Sequence, residues 1–108
     1  MFSVQDNNIA MIRGDSGIFK IDVTDIVGNA VALDDNDVLT FTLRRATRSP
    51  TIVLQKTITD GMLTIHPEDT EKMEFGMYVY DVELKRINGF VDTIIPPHKF
   101  QLLEEVTY

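Results

Sequence analysis

Residues 67–84, PEDTEKMEFGMYVYDVEL, carry the clearest structural signal in this chain. The second part of the stretch alternates polar and apolar residues, which is typical of a strand with one face in a core and one in water. The residues predicted to face the core are Tyr78, Tyr80, Val82 and Leu84. The polar segment in front of the strand predicts a short helical turn, because proline suits a first helical position and acidic residues suit the positive end of a helix.

Short β-rich runs separated by turn signals fill the rest of the sequence. A first strand is predicted over residues 9–12, and Asp60-Gly61 and Asn88-Gly89 are typical hairpin turns. Gly28-Asn29 is predicted to be a further turn. Pro96-Pro97 has no amide hydrogens to donate, so strand pairing is predicted to stop there or to move to an edge. The other predicted core residues are Phe19, Ile21, Val23, Leu39, Phe41, Leu43, Ile52, Leu54, Ile58, Leu63, Ile65, Phe100 and Leu102.

Strands at this spacing predict a sandwich or a barrel. A strand that follows an acidic corner, with a tyrosine just past a glycine, is typical of the corner strand in an immunoglobulin-like sandwich. We therefore predict an all-β fold, an immunoglobulin-like β-sandwich of about seven to eight antiparallel strands with one short helical turn. It forms a single domain over residues 1–108. The tyrosines of the corner strand are interpreted as core residues, with an exposed ligand platform as the alternative.

Composition limits the classes of partner. The chain has 108 residues, of which 44% are hydrophobic, and its ten basic and seventeen acidic residues give a net charge of −7. An acidic surface repels phosphate backbones and anionic lipids, so neither nucleic acid nor a membrane is an expected partner. The sequence holds no cysteine, which fits folding in a reducing cytoplasm. No apolar run is long enough for a signal peptide or a membrane span.

Residues 13–16, RGDS, include the tripeptide that many integrin-binding proteins display. We interpret the stretch as a turn, because Gly14 permits positive φ and Asp15 can bond its own backbone. Integrin recognition is one alternative. A second is an ion pair between Arg13 and a carboxylate on a neighbouring strand.

No metal or catalytic site is predicted. The acidic run at residues 34–37, DDND, lacks the glycine and glutamate that an EF-hand loop needs at its sixth and twelfth positions, although an irregular calcium site stays open. His66 and His98 each stand alone beside a proline. Asp81 and Glu83 share one exposed strand face and are interpreted as solubilising charges.

No nucleophile motif, phosphate-binding loop or dinucleotide motif is present. We therefore expect no enzymatic activity and no cofactor.

The one basic cluster consists of Arg44, Arg45 and Arg48. It is interpreted as a solvated loop after a strand. The alternatives are an acidic partner or the acidic half of the chain itself.

The order of several motifs is distinctive across nearly the whole chain. They are MIRGD at 11–15, FKIDV at 19–23, LTFTLR at 39–44, IHPEDT at 65–70, FGMYVYDVEL at 75–84, GFVDT at 89–93 and FQLLEEV at 100–106. In this order they resemble small proteins encoded in prophages and tailed phages of Gram-positive bacteria. Those proteins are similar to the N-terminal domain of the phage baseplate upper protein.

The resemblance implies an immunoglobulin-like sandwich with a role in the virion or tail, and it brings no catalytic residues with it. We expect a non-enzymatic structural or assembly protein of a phage or prophage particle, associated with the tail or baseplate. Its partners would be other virion proteins or a second copy of itself, first in the bacterial host cytoplasm and then in the virion. No binding residues are assigned.

The alternative is an adhesive binding module that recognises a carbohydrate or protein on the host surface. Such a module needs exposed aromatics or a calcium-ordered loop. Six of the nine aromatic residues fall in the predicted core alternation, which weakens this alternative. They are Phe19, Phe41, Tyr78, Tyr80, Phe90 and Phe100, of which Phe90 fits the alternation least well.

Overall fold

A computed structural model describes residues 2–5, 7–21, 29 and 36–104 of the protein. Three sequence predictions fall on Val23, Gly28 and the pair Asp34-Asp35, which lie outside the described residues. The elements, in chain order, are β1 Phe2–Gln5, β2 Asn8–Ile12, β3 Gly17–Lys20, β4 Val38–Arg44, β5 Ile52–Ile58, β6 Met62–Ile65, α1 Pro67–Thr70, β7 Gly76–Lys85 and β8 Val91–Leu103.

The strands of the described residues form two sheets. One has six strands in the order β1-β2-β8-β7-β4-β5, and the other pairs β3 with β6. This arrangement, with one short helix, confirms the predicted all-β sandwich. One neighbouring pair departs from the antiparallel prediction, because β2 and β8 run parallel. A parallel pair cannot be closed by a tight turn, so it joins strands far apart in the sequence.

The core lies between the sheets, where side chains of opposite strands meet. The six-stranded sheet contributes Ile9, Met11, Leu39, Phe41, Leu43, Ile58, Tyr78, Tyr80, Val82, Leu84, Phe100 and Leu102, and the other sheet contributes Phe19, Leu63 and Ile65. Phe41 is at the centre, with its ring centroid 5.3 Å from that of Tyr80 and 6.2 Å from that of Phe100. The prediction that Tyr78 and Tyr80 are core residues is confirmed.

The hydroxyl groups of both core tyrosines donate hydrogen bonds to backbone carbonyl oxygens. Tyr78 donates to the carbonyl oxygen of Glu74, four residues earlier, at 2.7 Å, which is the bond expected of a tyrosine at the corner of such a sandwich. Tyr80 donates to the carbonyl oxygen of Asn7, at the turn between β1 and β2. Burial raises the pKa of Tyr80 to about 12. The two hydroxyls therefore tie β7 to the corner and to the N-terminal hairpin.

Several strand predictions need correction. The sequence pattern missed β1. Pro96-Pro97 does not end a strand, because β8 continues through both residues and only its register with β7 becomes irregular there. The described partner of β8 on the other side, β2, pairs only with residues 100–103, so the prolines interrupt no ladder on that side.

Two predicted core residues are exposed. The register between β4 and β5 shifts after Leu43, so that Arg44 pairs with Ile52 and the side chain of Ile52 is 44% exposed. A bulge of this kind turns the following residue to the other face of a sheet. Phe90 lies just before β8 and is 58% exposed. The predictions for Ile52 and Phe90 were therefore wrong.

Helix α1 is fixed beneath β5 by a carboxylate. Asp69 accepts a bond from the ammonium of Lys56 and another from the amide of His66, each at 2.8 Å. Partial burial raises the pKa of Asp69, but the bond from Lys56, the bond from the His66 amide and the nearby positive charges together hold that pKa below its ordinary value. The ion pair therefore links the sandwich corner to the edge of the larger sheet.

Replacing Asp69 by an uncharged residue should make the free energy of unfolding less dependent on pH in the acidic range. Because its pKa is lowered on folding, the carboxylate of Asp69 stabilises the fold above its ordinary pKa, and this contribution disappears as pH falls through the lowered value. Asp69→Asn should reduce the free energy of unfolding by about 1 kcal/mol at neutral pH, and the difference should diminish as pH falls through the lowered pKa of Asp69. Urea unfolding at several pH values measures both. Glu68→Gln, in the same turn but exposed, is the control, and a pH-independent loss in Asp69→Asn would contradict the expectation.

Candidate interaction surfaces

Four exposed apolar side chains gather where β7 turns into β8. Ile87 is 68% exposed, Phe90 58%, Val91 50% and Val38 43%. Val38 pairs with Lys85, and Lys85 pairs with Val91, so these three residues stand side by side on adjacent strands. We call Val38, Ile87, Phe90 and Val91 the hairpin patch.

A buried aspartate holds the hairpin patch to the body of the sheet. The carboxylate of Asp37 accepts a bond from the guanidinium of Arg86 at 3.4 Å and one from the amide of Ile87 at 3.3 Å. The Asp37 side chain is only 1% exposed, whereas its partner Arg86 is 32% exposed. The start of β4 therefore fixes the tip of the next hairpin along the sheet.

The turn itself is closed by hydrogen bonds. The amide of Arg86 donates to the carbonyl of Phe90 at 2.8 Å, and the amide of Gly89 donates to the carbonyl of Arg86 at 2.9 Å. The side chain of Asn88 accepts from the amide of Phe90 at 2.9 Å, and Gly89 has a φ of +87°. The predicted Asn88-Gly89 turn is confirmed, and it presents Ile87 and Phe90 on a defined backbone.

Exposed apolar residues that gather in one place are typical of contact surfaces, whereas single ones are ordinary. The sequence analysis missed the hairpin patch because it assigned Phe90 to the core. The sequence feature that could have indicated the patch is the position of Ile87 and Phe90 on either side of a two-residue turn. Both residues lie at the tip of the β7–β8 hairpin, where they are 68% and 58% exposed.

Residues 13–15, the RGD stretch, form a turn whose residues make contacts within the protein. The amide of Asp15 donates to the carbonyl of Ile12 at 3.1 Å, and Gly14 has a φ of +85°. The amide of Gly14 donates at 2.9 Å to the hydroxyl of Thr70, a side chain that is fully buried. The guanidinium of Arg13 lies 4.1 Å from the ring centroid of Phe75 and donates to a backbone carbonyl. These contacts agree with the interpretation as a turn.

The candidate metal residues are dispersed. Asp34 and Asp35 lie outside the described residues, and Asp37 is committed to the hairpin. His66 precedes α1, while His98 lies in β8 with its ring centroid 6.5 Å from that of Tyr80. Within residues 7–21, 29 and 36–104, no group of three or more His, Cys, Asp or Glu could hold a metal ion.

Asp81 and Glu83 lie on the outer face of the six-stranded sheet, along a shallow groove of about 350 Å³ that also includes Thr42, Arg44 and Gln55. Partial burial raises the pKa of Asp81, and the positive charge of Arg44 opposes the rise. The two acids face outward, as predicted, and the groove is open to solvent and polar.

The three arginines of the basic cluster have different surroundings. Arg44 donates to the carbonyl of Ser49 at 3.2 Å, and so braces the loop that follows β4. The guanidinium of Arg45 lies 4.6 Å from the ring centroid of Tyr78. Arg48 is exposed in the loop. The prediction of a solvated loop holds for Arg48, whereas Arg44 and Arg45 contribute to the structure.

Comparison with protein-family models, with curated proteins and with solved structures finds no match to this chain. No helix among the described residues is long and apolar enough to span a membrane.

Proposed function

We propose that this chain is a non-enzymatic structural or assembly protein of a phage or prophage particle, associated with the tail or baseplate. It acts through contacts with other virion proteins or with further copies of itself. It is present in the bacterial host cytoplasm during assembly and afterwards in the virion.

The observation that carries the proposal is the hairpin patch. Protein interfaces have an apolar centre with aromatic anchors, and Phe90 is such a residue beside Ile87 and Val91. The hydrogen bonds of Asp37 and Asn88 hold the patch in place before a partner arrives. Binding a partner then requires little ordering of the backbone, which favours assembly.

The motif order described above supports the particle as the setting. The resemblance to small phage and prophage proteins extends over nearly the whole chain, and a rigid sandwich with an apolar tip suits a part that is held between other proteins. The net charge of −7 favours protein partners over nucleic acid.

The test is incorporation of the chain into particles produced by a host that encodes it. Mass spectrometry of purified particles should detect the chain. The double variant Ile87→Ser, Phe90→Ser should reduce its amount by roughly tenfold or more, because loss of a central anchor residue commonly weakens an interface by 2 kcal/mol or more.

Ile18→Ser is the matched control, because Ile18 is also 58% exposed but lies on the other sheet. Both variants should keep their melting temperatures, since exposed substitutions change stability by about 0.5 kcal/mol or less. Absence of the chain from purified particles would contradict the proposed function. Equal incorporation of both variants would show that the hairpin patch is not the contact. Binding on a glycan array would instead favour the adhesive alternative.

A further inference from the structure

We propose that the outer edge of β5 is a docking edge for an extended, acidic segment of a partner protein, which joins the six-stranded sheet as an additional strand. The proposal rests on the proposed function in taking the partner to be another protein of the particle. It assigns to this edge a contact separate from the hairpin patch.

β5 is the last strand of its sheet. Among the described residues it pairs along its length with β4 alone, from Leu39 opposite Ile58 to Arg44 opposite Ile52. A strand with one neighbour leaves every second N–H and C=O group unpaired on its other side. Seven residues of such an edge span about 23 Å and match the length of an ordinary added strand.

The edge lacks most of the features that discourage an added strand. Six of the seven residues of β5 are at least partly exposed, and the first four, Ile52 to Gln55, carry no charge and include no proline. The bulge near Ile52 affects only the beginning of the strand, and pairing with β4 is regular over residues 54–58. Ile52 and Val53 are exposed apolar residues that an added strand can cover.

The one charged residue of β5 is already engaged. Lys56 lies opposite Phe41, so its side chain is on the core side of the sheet, and its ammonium is bound to Asp69 at 2.8 Å. A lysine that points outward along an edge discourages strand addition, but here the charge holds α1 under the sheet instead.

The surrounding charge specifies the chemistry of the partner. Residues 38–59, which form the β4–β5 hairpin, hold four of the ten basic residues of the chain and none of its seventeen acidic ones. The rest of the chain therefore has six basic and seventeen acidic residues, a net charge of −11 against +4 for the hairpin. Because Lys56 is paired with Asp69, the positive charge that is complementary to an acidic strand comes from Arg44, Arg45 and Arg48, which precede β5.

The same distribution disfavours symmetric pairing with a second copy. Two copies that joined through β5 would bring together two hairpins that contain basic and no acidic residues, so neither copy would offer the other a complementary charge. An acidic segment of another protein supplies that charge. Arg44 braces the loop through the carbonyls of Ser49 and Pro50, which places Arg48 close to the beginning of β5.

The test uses a blocked eight-residue peptide of alternating valine and glutamate as the probe, with the full chain. Hydrogen exchange should show new protection of amides in β5, while the amides of residues 91–95 in β8 stay unchanged. The same peptide with lysine in place of glutamate should bind at least tenfold more weakly. N-methylation of the amides along one edge of the peptide should abolish binding. N-methylation of the amides along its other edge should leave binding unchanged.

Charge reversal on the protein provides the second measurement. Arg48→Glu should weaken peptide binding roughly fivefold, since an exposed ion pair contributes a few-fold and reversal adds repulsion. Lys99→Glu reverses the charge of another exposed residue, on β8; it is the control and should leave binding unchanged. Raising NaCl from about 0.1 M to about 1 M should weaken binding, because the screening length falls from about 10 Å to about 3 Å.

Several results would overturn the docking edge: no binding, equal binding of the lysine peptide, equal effects of the two methylation patterns, or protection that appears away from β5. These outcomes are separate from the particle experiment. A chain absent from particles that still binds the acidic peptide on β5 would remove the proposed function and keep the edge. A chain that is present in particles but binds no acidic peptide would keep the proposed function and contradict the docking edge.

Discussion

Replacing Phe41 by alanine is expected to lower the free energy of unfolding by about 3–5 kcal/mol, the largest effect of any single change considered for this protein. Phe41 is fully buried and contacts two further aromatic rings, those of Tyr80 and Phe100. Its removal leaves a cavity at the point where β4, β7 and β8 meet. Both the lost transfer free energy and the cavity contribute to the destabilisation.

Phe90→Ala is the matched control because it removes the same ring from a side chain that is 58% exposed. We expect it to change stability by about 0.5 kcal/mol or less. Urea unfolding followed by far-ultraviolet circular dichroism measures both variants. Phe41→Leu, which keeps an apolar side chain at the centre, should lose less than the alanine variant. Similar losses for Phe41→Ala and Phe90→Ala would contradict the central position of Phe41.

Gly76→Ala is expected to destabilise the protein by about 2–3 kcal/mol, the second largest effect. Gly76 has a φ of +135°, far from the left-handed region near φ +57° that other residues occasionally adopt. An added Cβ would also lie 3.1 Å from a guanidinium nitrogen of Arg45. Arg45 can move aside, but it then leaves the ring of Tyr78 and loses the cation–π contact.

Gly89→Ala separates the two causes. Gly89 has a φ of +87°, and an added Cβ there meets no atom within 4 Å, so the substitution changes only backbone strain. It should cost about 1–2 kcal/mol. The double variant Arg45→Ala, Gly76→Ala should be more stable than the sum of its single effects predicts, because the side chain in the way is then absent. Thermal unfolding of the four variants measures this coupling, and strict additivity would show that Arg45 plays no part.

The hairpin patch and the loop that carries Arg45 and Arg48, here called the arginine loop, lie at opposite ends of β4. Val38, in the hairpin patch, stands at the end of β4 that pairs with Lys85, whereas the arginine loop follows the other end, where Arg44 pairs with Ile52. A rigid sandwich that binds through an apolar tip at one end and a basic edge towards the other can hold two different partners at a fixed separation. This arrangement suits an assembly protein.

Sequence periodicity predicted most of the core because the side chains of a strand alternate between two faces. Leu39, Phe41 and Leu43 are buried as the pattern indicated, and the same holds for the inward residues of β7. The tyrosine corner was also predictable, since it depends on local residues: Tyr78 reaches a carbonyl only four positions away. The turns at Asp60-Gly61 and Asn88-Gly89 follow from local chemistry, and Asp60 and Gly61 both have positive φ.

The sequence could not predict features that depend on which strands become neighbours. The Asp60-Gly61 turn was predicted correctly, yet β5 and β6 continue into different sheets after a single bridge between Thr59 and Met62. The strand order, the free edge of β5 and the parallel pairing of β2 with β8 likewise depend on contacts between distant residues. Periodicity gives the faces of a strand but carries no information about its partners.

The amino-acid sequence by itself therefore determined the strand faces, the corner and the turns, because each of these results from interactions within a few residues. Only the tertiary structure decided that Ile52 and Phe90 are exposed and that β5 ends its sheet. Exposure depends on whether another layer or strand lies opposite a residue. For Ile52 the decisive feature is the change of register after Leu43, which depends on the pairing of β4 with β5.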